Sequence, residues 1–585
     1  MINFGANLQS SGETLFRLWA PDCENVQVEI KDASTEATEN FPMSRQDDGF
    51  FAATLPVGAG SRYRYRVSPD LAVPDPASRA QDGDVHGYSI VVDTTFPWQH
   101  PGWRGRPWHE AVIYELHVGA FGGFDGVQAE LPRLKALGVT AIELMPIADF
   151  PGKHNWGYDG VLPYAPDETY GTPEQLKTLI DTAHGLGLMV FLDVVYNHFG
   201  PAGNYLNAFA SSFFTADVHT PWGNAIDFTR PEVKRFFIEN ALYWLKDYRF
   251  DGLRFDAVHA IFDETFLTEM AAEIRLKIDD RHVHLVLENE KNDAALLTSS
   301  PTEQKFDAQW TDDWHHCLHV LLTGESEGYY KDFSKPAEQL ARCLSEGFAY
   351  QGEPSPHAGG KPRGTGSAHL PTTAFVICLQ NHDQIGNRAF GERLMVLAER
   401  QALQAAALLL LMTPQIPMLF MGEEWGETNP FLFFTDHHDE LADAVRNGRR
   451  KEFTHFAAFS DPEKREQIPD PNAAETYRKS IPQWRNDSPG EIAALYANAL
   501  RLRATHIVPR LVGAVSSGAR ALGDSAVTAS WRMGDGALLS IASNFGPRSL
   551  DFAAPAEPLI ASSPAQKYDG GRLPAFTTYV WLQHP

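Results

Sequence analysis

Residues 1–95 alternate apolar and polar positions in short runs. Phe16-Arg17-Leu18-Trp19, Val26-Gln27-Val28-Glu29-Ile30 and Tyr63-Arg64-Tyr65-Arg66-Val67 carry a period of two, and turn-rich segments separate them. The pattern predicts a small β-sandwich. The Pro-rich stretch 96–107 reads as a linker. From residue 108 the pattern changes. Runs at 111–116, 139–144 and 188–195 read as strands, the third nearly continuous in apolar residues as parallel buried strands are. Between the last two, Thr172 stands as an N-cap, Pro173 at N1 and Gln175 at N3, and Leu176, Leu179, Ile180 and Ala183 follow on one helical face. Thr229-Arg230-Pro231-Glu232 predicts a second helix start of the same kind. Repeated β-α units leave a doubly wound sheet or a (β/α)8 barrel. No Gly-rich phosphate turn follows the first strand, which tells against a nucleotide-binding sheet. From about 490 the pattern returns to β. Residues 527–532 and 537–543 flank the turn Gly534-Asp535-Gly536 as a hairpin, and 576–582 form a last strand. The Gly, Pro and Ser of 350–368 predict a mobile loop.

Composition narrows the ligand. A chain of 585 residues exceeds one ordinary core, and 43% hydrophobic with 21% charged residues is globular. The net charge of −26 disfavours nucleic acid, anionic membranes and phosphorylated substrates, and fits a neutral ligand. The N-terminus shows no basic and apolar signal segment, and the most apolar run, 405–412, is too short to span a bilayer. Four scattered cysteines, Cys23, Cys317, Cys343 and Cys378, read as reduced thiols of a cytoplasmic protein.

The chemistry stands at the ends of apolar runs. Asp193-Val194-Val195-Tyr196-Asn197-His198 ends one strand. Arg254 and Asp256 end the next, two positions apart and therefore on one face. Leu287-Glu288-Asn289-Glu290 and Gln380-Asn381-His382-Asp383 end two more. Catalytic groups of a (β/α)8 barrel sit at such ends. A cluster of this kind suits glycoside hydrolysis, in which one carboxylate attacks the anomeric carbon and a second, protonated, releases the leaving oxygen. Arg254 beside Asp256 would keep the aspartate ionised as nucleophile. Glu288, facing other acids in a partly dry pocket, would have its pKa raised and act as acid. Asp383 would grip sugar hydroxyls.

These four segments resemble the motif regions of the α-amylase clan of retaining glycoside hydrolases, in order and in spacing. The resemblance implies Asp256 as nucleophile, Glu288 as acid/base and Asp383 as the third acid. Leu287 departs from it, because a smaller residue is expected before the acid/base. It further implies Tyr158 stacking on the sugar in the −1 subsite, with Asp193, His198, Arg254 and His382 around that sugar. The N-terminal module is similar to the glycogen-binding-like domains that precede such barrels. The stretches Asp312-Asp313-Trp314-His315-His316, Gly422-Glu423-Glu424-Trp425 and Thr435-Asp436-His437 resemble the maltooligosyltrehalose trehalohydrolase branch of the clan. Membership would mean cleavage of the α-1,4 bond next to the trehalose end of maltooligosyltrehalose, with trehalose as product. Asp312, Trp314, His315, His316 and Glu424 would then recognise trehalose, and an enzyme forming maltooligosyltrehalose would act upstream. No cofactor and no metal site is expected. The alternatives are a 1,4-α-glucan branching enzyme or another α-glucan hydrolase of the clan, and a non-catalytic glucan-binding barrel. The expected architecture is an α/β protein: a β-sandwich over 1–95, a (β/α)8 TIM barrel over 96–488 and an antiparallel β domain over 489–585.

Overall fold

The computed structural model describes residues 3–584 apart from 33–35, 221–222, 299, 301–302, 484–489, 554–555, 564–567 and 569. Eight parallel strands close into a barrel: β1 Ile113–Leu116, β2 Ala141–Leu144, β3 Met189–Val194, β4 Gly252–Phe255, β5 His284–Leu287, β6 Ala308–Trp310, β7 Phe375–Cys378 and β8 Ile416–Phe420. The order is sequential, and β8 pairs with β1. Two antiparallel sheets precede the barrel, built around Thr14–Trp19 with Phe50–Leu55 and around Gln27–Lys31 with Arg62–Ser68. A five-stranded antiparallel sheet follows it, with Leu538–Asn544 at its centre.

Period-two parity decides what fills the barrel. Ile113, Ala141, Met189, Phe191, Val286, Ala308, Trp310, Val376, Cys378, Ile416 and Met418 pack as one buried cluster. Two residues further along the same faces the chemistry changes. Glu115, Glu143, Asp193, Glu288 and Asp312 follow Ile113, Ala141, Phe191, Val286 and Trp310 at i+2, and Arg254 follows Gly252. Each of these six strands thus starts from an apolar or glycine position and turns polar at its C-terminal end. The segment 96–107, expected as a linker, plugs the opposite end. Trp103 stacks on His184 with ring centroids 5.0 Å apart and donates its indole N–H to Asp251 at 2.7 Å.

Helix starts follow the local code with one correction. The helix Pro173–Gly185, α1 here, opens on a Thr172 capping box with Gln175, as the spacing predicts, and Leu176, Leu179, Ile180 and Ala183 are buried. The next helix before β4, α2, spans Pro231–Lys246. Its N-cap is Arg230, with no side-chain cap, because Pro231 at N1 puts Thr229 one residue too early. Thr229 bonds Asp227 instead.

Two other expectations change. The tail starts with a helix, Glu491–Leu502, before its first strand at Val515. The 350–368 stretch holds a short hairpin, Glu353–Ser355 with Lys361–Arg363, anchored by Arg363 on the fully buried Asp313 at 2.9 Å. Strands β6 and β8 went unread, for reasons of length and of Pro417.

Gly252 shows why the motif around Arg254 needs glycine. A Cβ there would meet the Phe191 ring and the His284 carbonyl oxygen, both at 2.7 Å, inside the barrel. Gly252→Ala should therefore destabilise the protein by about 1–3 kcal/mol through overpacking. Urea unfolding checks this, and an unchanged midpoint would mean that the barrel interior has room to spare.

Candidate active site

The fully buried guanidinium of Arg254 is the hub of the site. Its Nη1 reaches both carboxylate oxygens of Asp193, at 2.9 and 2.7 Å, and Oδ1 of Asp256 at 2.8 Å. Its Nη2 reaches Oε2 of Glu288 at 2.7 Å. The indole of Trp310 covers its face at 4.1 Å. Register explains the Asp193 contact, because Asp193 and Arg254 are Cα partners across β3 and β4.

Each acid has a second donor. Asn197 donates from Nδ2 to Oδ2 of Asp256 at 2.7 Å. The Ala257 N–H donates to Oε2 of Glu288 at 2.8 Å. Ala257 takes a φ of +40° to do so, a left-handed conformation that costs of order 1–2 kcal/mol in a non-glycine residue. The dry pocket expected around Glu288 is thus replaced by a guanidinium and a backbone donor. Burial pushes the Asp193 carboxyl up, to about 7, with Arg254 pulling the other way.

The residues expected around a bound sugar converge here too. Tyr158 donates its hydroxyl to Asp193 at 2.6 Å, and its ring stacks on His382 at 5.1 Å. His198 holds the Tyr158 carbonyl at 2.9 Å, and burial lowers its pKa. Asp383 lies beside His382, whose Nε2 is 3.4 Å from its Oδ1, and keeps its side chain 35% exposed. Asn381 caps this turn and accepts from the Asp383 N–H at 2.9 Å. Asp312 is half-buried at the start of the helix after β6, and burial with the charges of Glu288 and Asp383 pushes it up to about 8.

Comparison with known proteins places this geometry. The model of the alpha amylase catalytic domain matches residues 81–222, that of carbohydrate-binding module 48 (isoamylase N-terminal domain) matches 3–71, and a domain of unknown function matches 515–580. A malto-oligosyltrehalose trehalohydrolase of Deinococcus radiodurans is 44% identical over 85% of this chain and 82% of its own length. The chain belongs to the malto-oligosyltrehalose trehalohydrolase family. The trehalohydrolase of Rhizobium sp. strain M-11 is 37% identical over 96% of both chains. The crystal structure of a candidate alpha amylase from Salmonella typhimurium superposes with a TM-score of 0.93 at 42% identity, over 99% of each chain. A pullulanase from Anoxybacillus sp. LM18-11 shares the fold, with a TM-score of 0.68 at 18% identity.

Within the trehalohydrolase family assignment, the residues expected to recognise trehalose divide. Asp312 stands with the acids. His316 is half-buried, with its ring 4.8 Å from Tyr329 and 5.0 Å from Phe333, and burial lowers its pKa. The other three depart from expectation. Trp314 is fully buried in the helix that Asp312 starts. His315 ties that helix to the end of β7 through the Leu379 carbonyl at 2.5 Å, and burial lowers its pKa to about 3. Glu424 is buried against Arg133 at 2.7 Å and the Tyr114 hydroxyl at 3.0 Å, apart from the acid cluster. These three side chains are occupied in packing and in ion pairing.

Several residues around the acid cluster were given no role from the sequence. Glu115 and Glu143 interrupt the apolar runs of β1 and β2 as Arg254 interrupts β4, so the same signal marks them. Asn197 lies inside a quoted motif and holds the nucleophile candidate directly. Trp310 belongs to the same family-like stretch as Asp312, which runs from Ala308 to His316, and roofs the guanidinium.

Removing the hub should be severe. Arg254→Met would leave three carboxylates without their shared cation, and the expected loss is about 3–5 kcal/mol of unfolding free energy. Urea denaturation reads this directly. A loss below about 1 kcal/mol would show that the carboxylates hold themselves apart without it.

Proposed function

We propose that the chain hydrolyses the α-1,4 bond adjacent to the terminal trehalose of maltooligosyltrehalose, releasing trehalose and a maltooligosaccharide. The observation that carries the reading is the convergence of Asp256 and Glu288 on one guanidinium, in a chain whose 37–44% identical relatives are named for this reaction. The Asp256 carboxylate attacks the anomeric carbon while Glu288 gives its proton to the glycosidic oxygen. Trehalose leaves, and the sugar is held as an ester on Asp256. Glu288 then takes a proton from water, which attacks the same carbon and frees Asp256. Arg254 and Asn197 donate to the two oxygens of Asp256 and aim it. Asp383 and His382 hold hydroxyls of the reacting sugar, and Tyr158 packs on its apolar face. Asp312 and His316 are the groups we place on the trehalose side.

The substrate has to be supplied by an enzyme that forms maltooligosyltrehalose. Four buried free thiols support a reducing, cytoplasmic setting. No helix among the described residues is long and apolar enough to cross a membrane. The branching-enzyme alternative has less behind it. A Streptomyces coelicolor enzyme named for that reaction matches at 34% identity over only 42% of this chain.

Product analysis on maltooligosyltrehalose and on the matching maltooligosaccharide separates the readings. Free trehalose should appear much faster than any product of the plain chain. New α-1,6 links, or cutting without preference, would refute the trehalohydrolase assignment. In the same assay Asp256→Asn should lower kcat on the order of 10^4-fold or more, as loss of a nucleophile does. Near wild-type turnover would remove Asp256 from the mechanism.

A further inference from the structure

Glu115 lies at the C-terminal end of β1 and is 1% exposed, as is His382. Its carboxylate meets His382 twice. Oε1 is 2.5 Å from the ring Nδ1, and Oε2 accepts the His382 backbone N–H at 3.2 Å. The other ring nitrogen, Nε2, lies 3.4 Å from Oδ1 of Asp383. A histidine with a carboxylate on each nitrogen satisfies both only when both nitrogens carry protons. The ring stack fits the same state, because Tyr158 lies over His382 at 5.1 Å and 23°, and an aromatic face attracts a cation. Trp156 meets it edge-on at 5.5 Å.

Building on the catalytic reading above, we propose that Glu115 is a positioning residue that fixes His382 as an imidazolium, so that Nε2 offers the reacting sugar a charged hydrogen-bond donor. Charged donors form shorter and stronger hydrogen bonds than neutral ones. Glu115 reaches no substrate itself in this scheme and acts only through the ring.

The groups facing His382 come from several elements. Glu115 on β1 and Asp383 beside it favour the imidazolium, Arg254 on β4 opposes it, and burial opposes it most strongly. Asp193 on β3 and Glu143 on β2 lie close enough for the His382 charge to lower their own pKa values, and His117 after β1 is disfavoured by it. The balance raises His382 to about 9. Burial, with the charges of Glu115 and Asp193, pushes Glu143 well above the usual carboxylate range.

The test is the pH dependence of kcat/KM for the full-length protein and for Glu115→Gln, on maltooligosyltrehalose or on whichever α-glucan the protein cuts. Failure on maltooligosyltrehalose would count against the trehalohydrolase reading alone, since the profile can be taken on another substrate. An imidazolium is lost as pH rises through its pKa, so wild-type activity should show a fall through about 9, on top of the loss that the acid role of Glu288 imposes on wild type and variant alike. In Glu115→Gln the fall should move down toward the ordinary histidine value of about 6.5. The variant would then approach wild type near pH 5.5 and lie on the order of thirtyfold below it near pH 8. Parallel profiles, with a constant gap at every pH, would overturn the proposal and leave Glu115 a packing role. His382→Gln supplies a second measurement should Glu115→Gln not fold. It should lack the fall near pH 9, and adding Glu115→Gln should bring no new pH dependence. Persistence of that fall in His382→Gln would overturn the proposal as well.

Discussion

A guanidinium buried at the top of a barrel has to be compensated, and the site is organised around that requirement. Taking an arginine out of water costs several kcal/mol unless its charge and its donors are met. Arg254 is met by Asp193, Asp256 and Glu288, and by the face of Trp310. The same contacts fix where the carboxylates of Asp256 and Glu288 stand. Stability and chemistry are coupled here, because removing any one partner unbalances the others. The nine residues from Asp251 to His259 show how compactly this is encoded. Asp251 ties the base of β4 to His184 and Trp103, Gly252 clears space for Phe191, Arg254 is the hub, and Asp256 follows at i+2.

The barrel makes the arrangement rigid. Strands that are apolar at their N-terminal ends pack as one inner cluster, so their polar ends cannot drift independently. Preorganised charges of this kind stabilise a developing oxocarbenium ion without reorganising during the reaction. The flanking β domains extend the scaffold. Phe4 of the N-terminal domain stacks edge-on against Phe236 of α2 at 5.2 Å, and Thr578 of the last strand donates to the Ala405 carbonyl at 2.8 Å.

Much of this was legible before any coordinates. Largely apolar runs marked β1 to β5 and β7, and the capping box at Thr172 was right to the residue. The acids at strand ends announced themselves because a charge after an apolar run has few structural excuses. Two strands were illegible for physical reasons. β6 is three residues long, too short for any period, and β8 carries Pro417, which lacks the N–H that a central strand donates. Thr229 misled because a proline at N1 moves the cap to the preceding residue, whatever its chemistry. Trp314, His315 and Glu424 misled because a motif reports that residues travel together, and not which way each side chain faces. Glu115 was passed over although its charge interrupts its strand as Arg254 does, because its partner His382 is 267 residues away in the chain. Its contact with His382 is visible only when β1 and the turn after β7 are brought together.

The central claim is that Arg254 holds Asp256 and Glu288 as the close pair of a retaining enzyme, in which the carboxyl groups stand about 5–5.5 Å apart. Proton NMR of the newly freed reducing end, recorded in the first minutes of hydrolysis before mutarotation, tests it most directly. Two displacements at one carbon should give the α-anomer first. Initial release of the β-anomer would mean a single displacement by water, and would contradict the assignment of Asp256 as nucleophile.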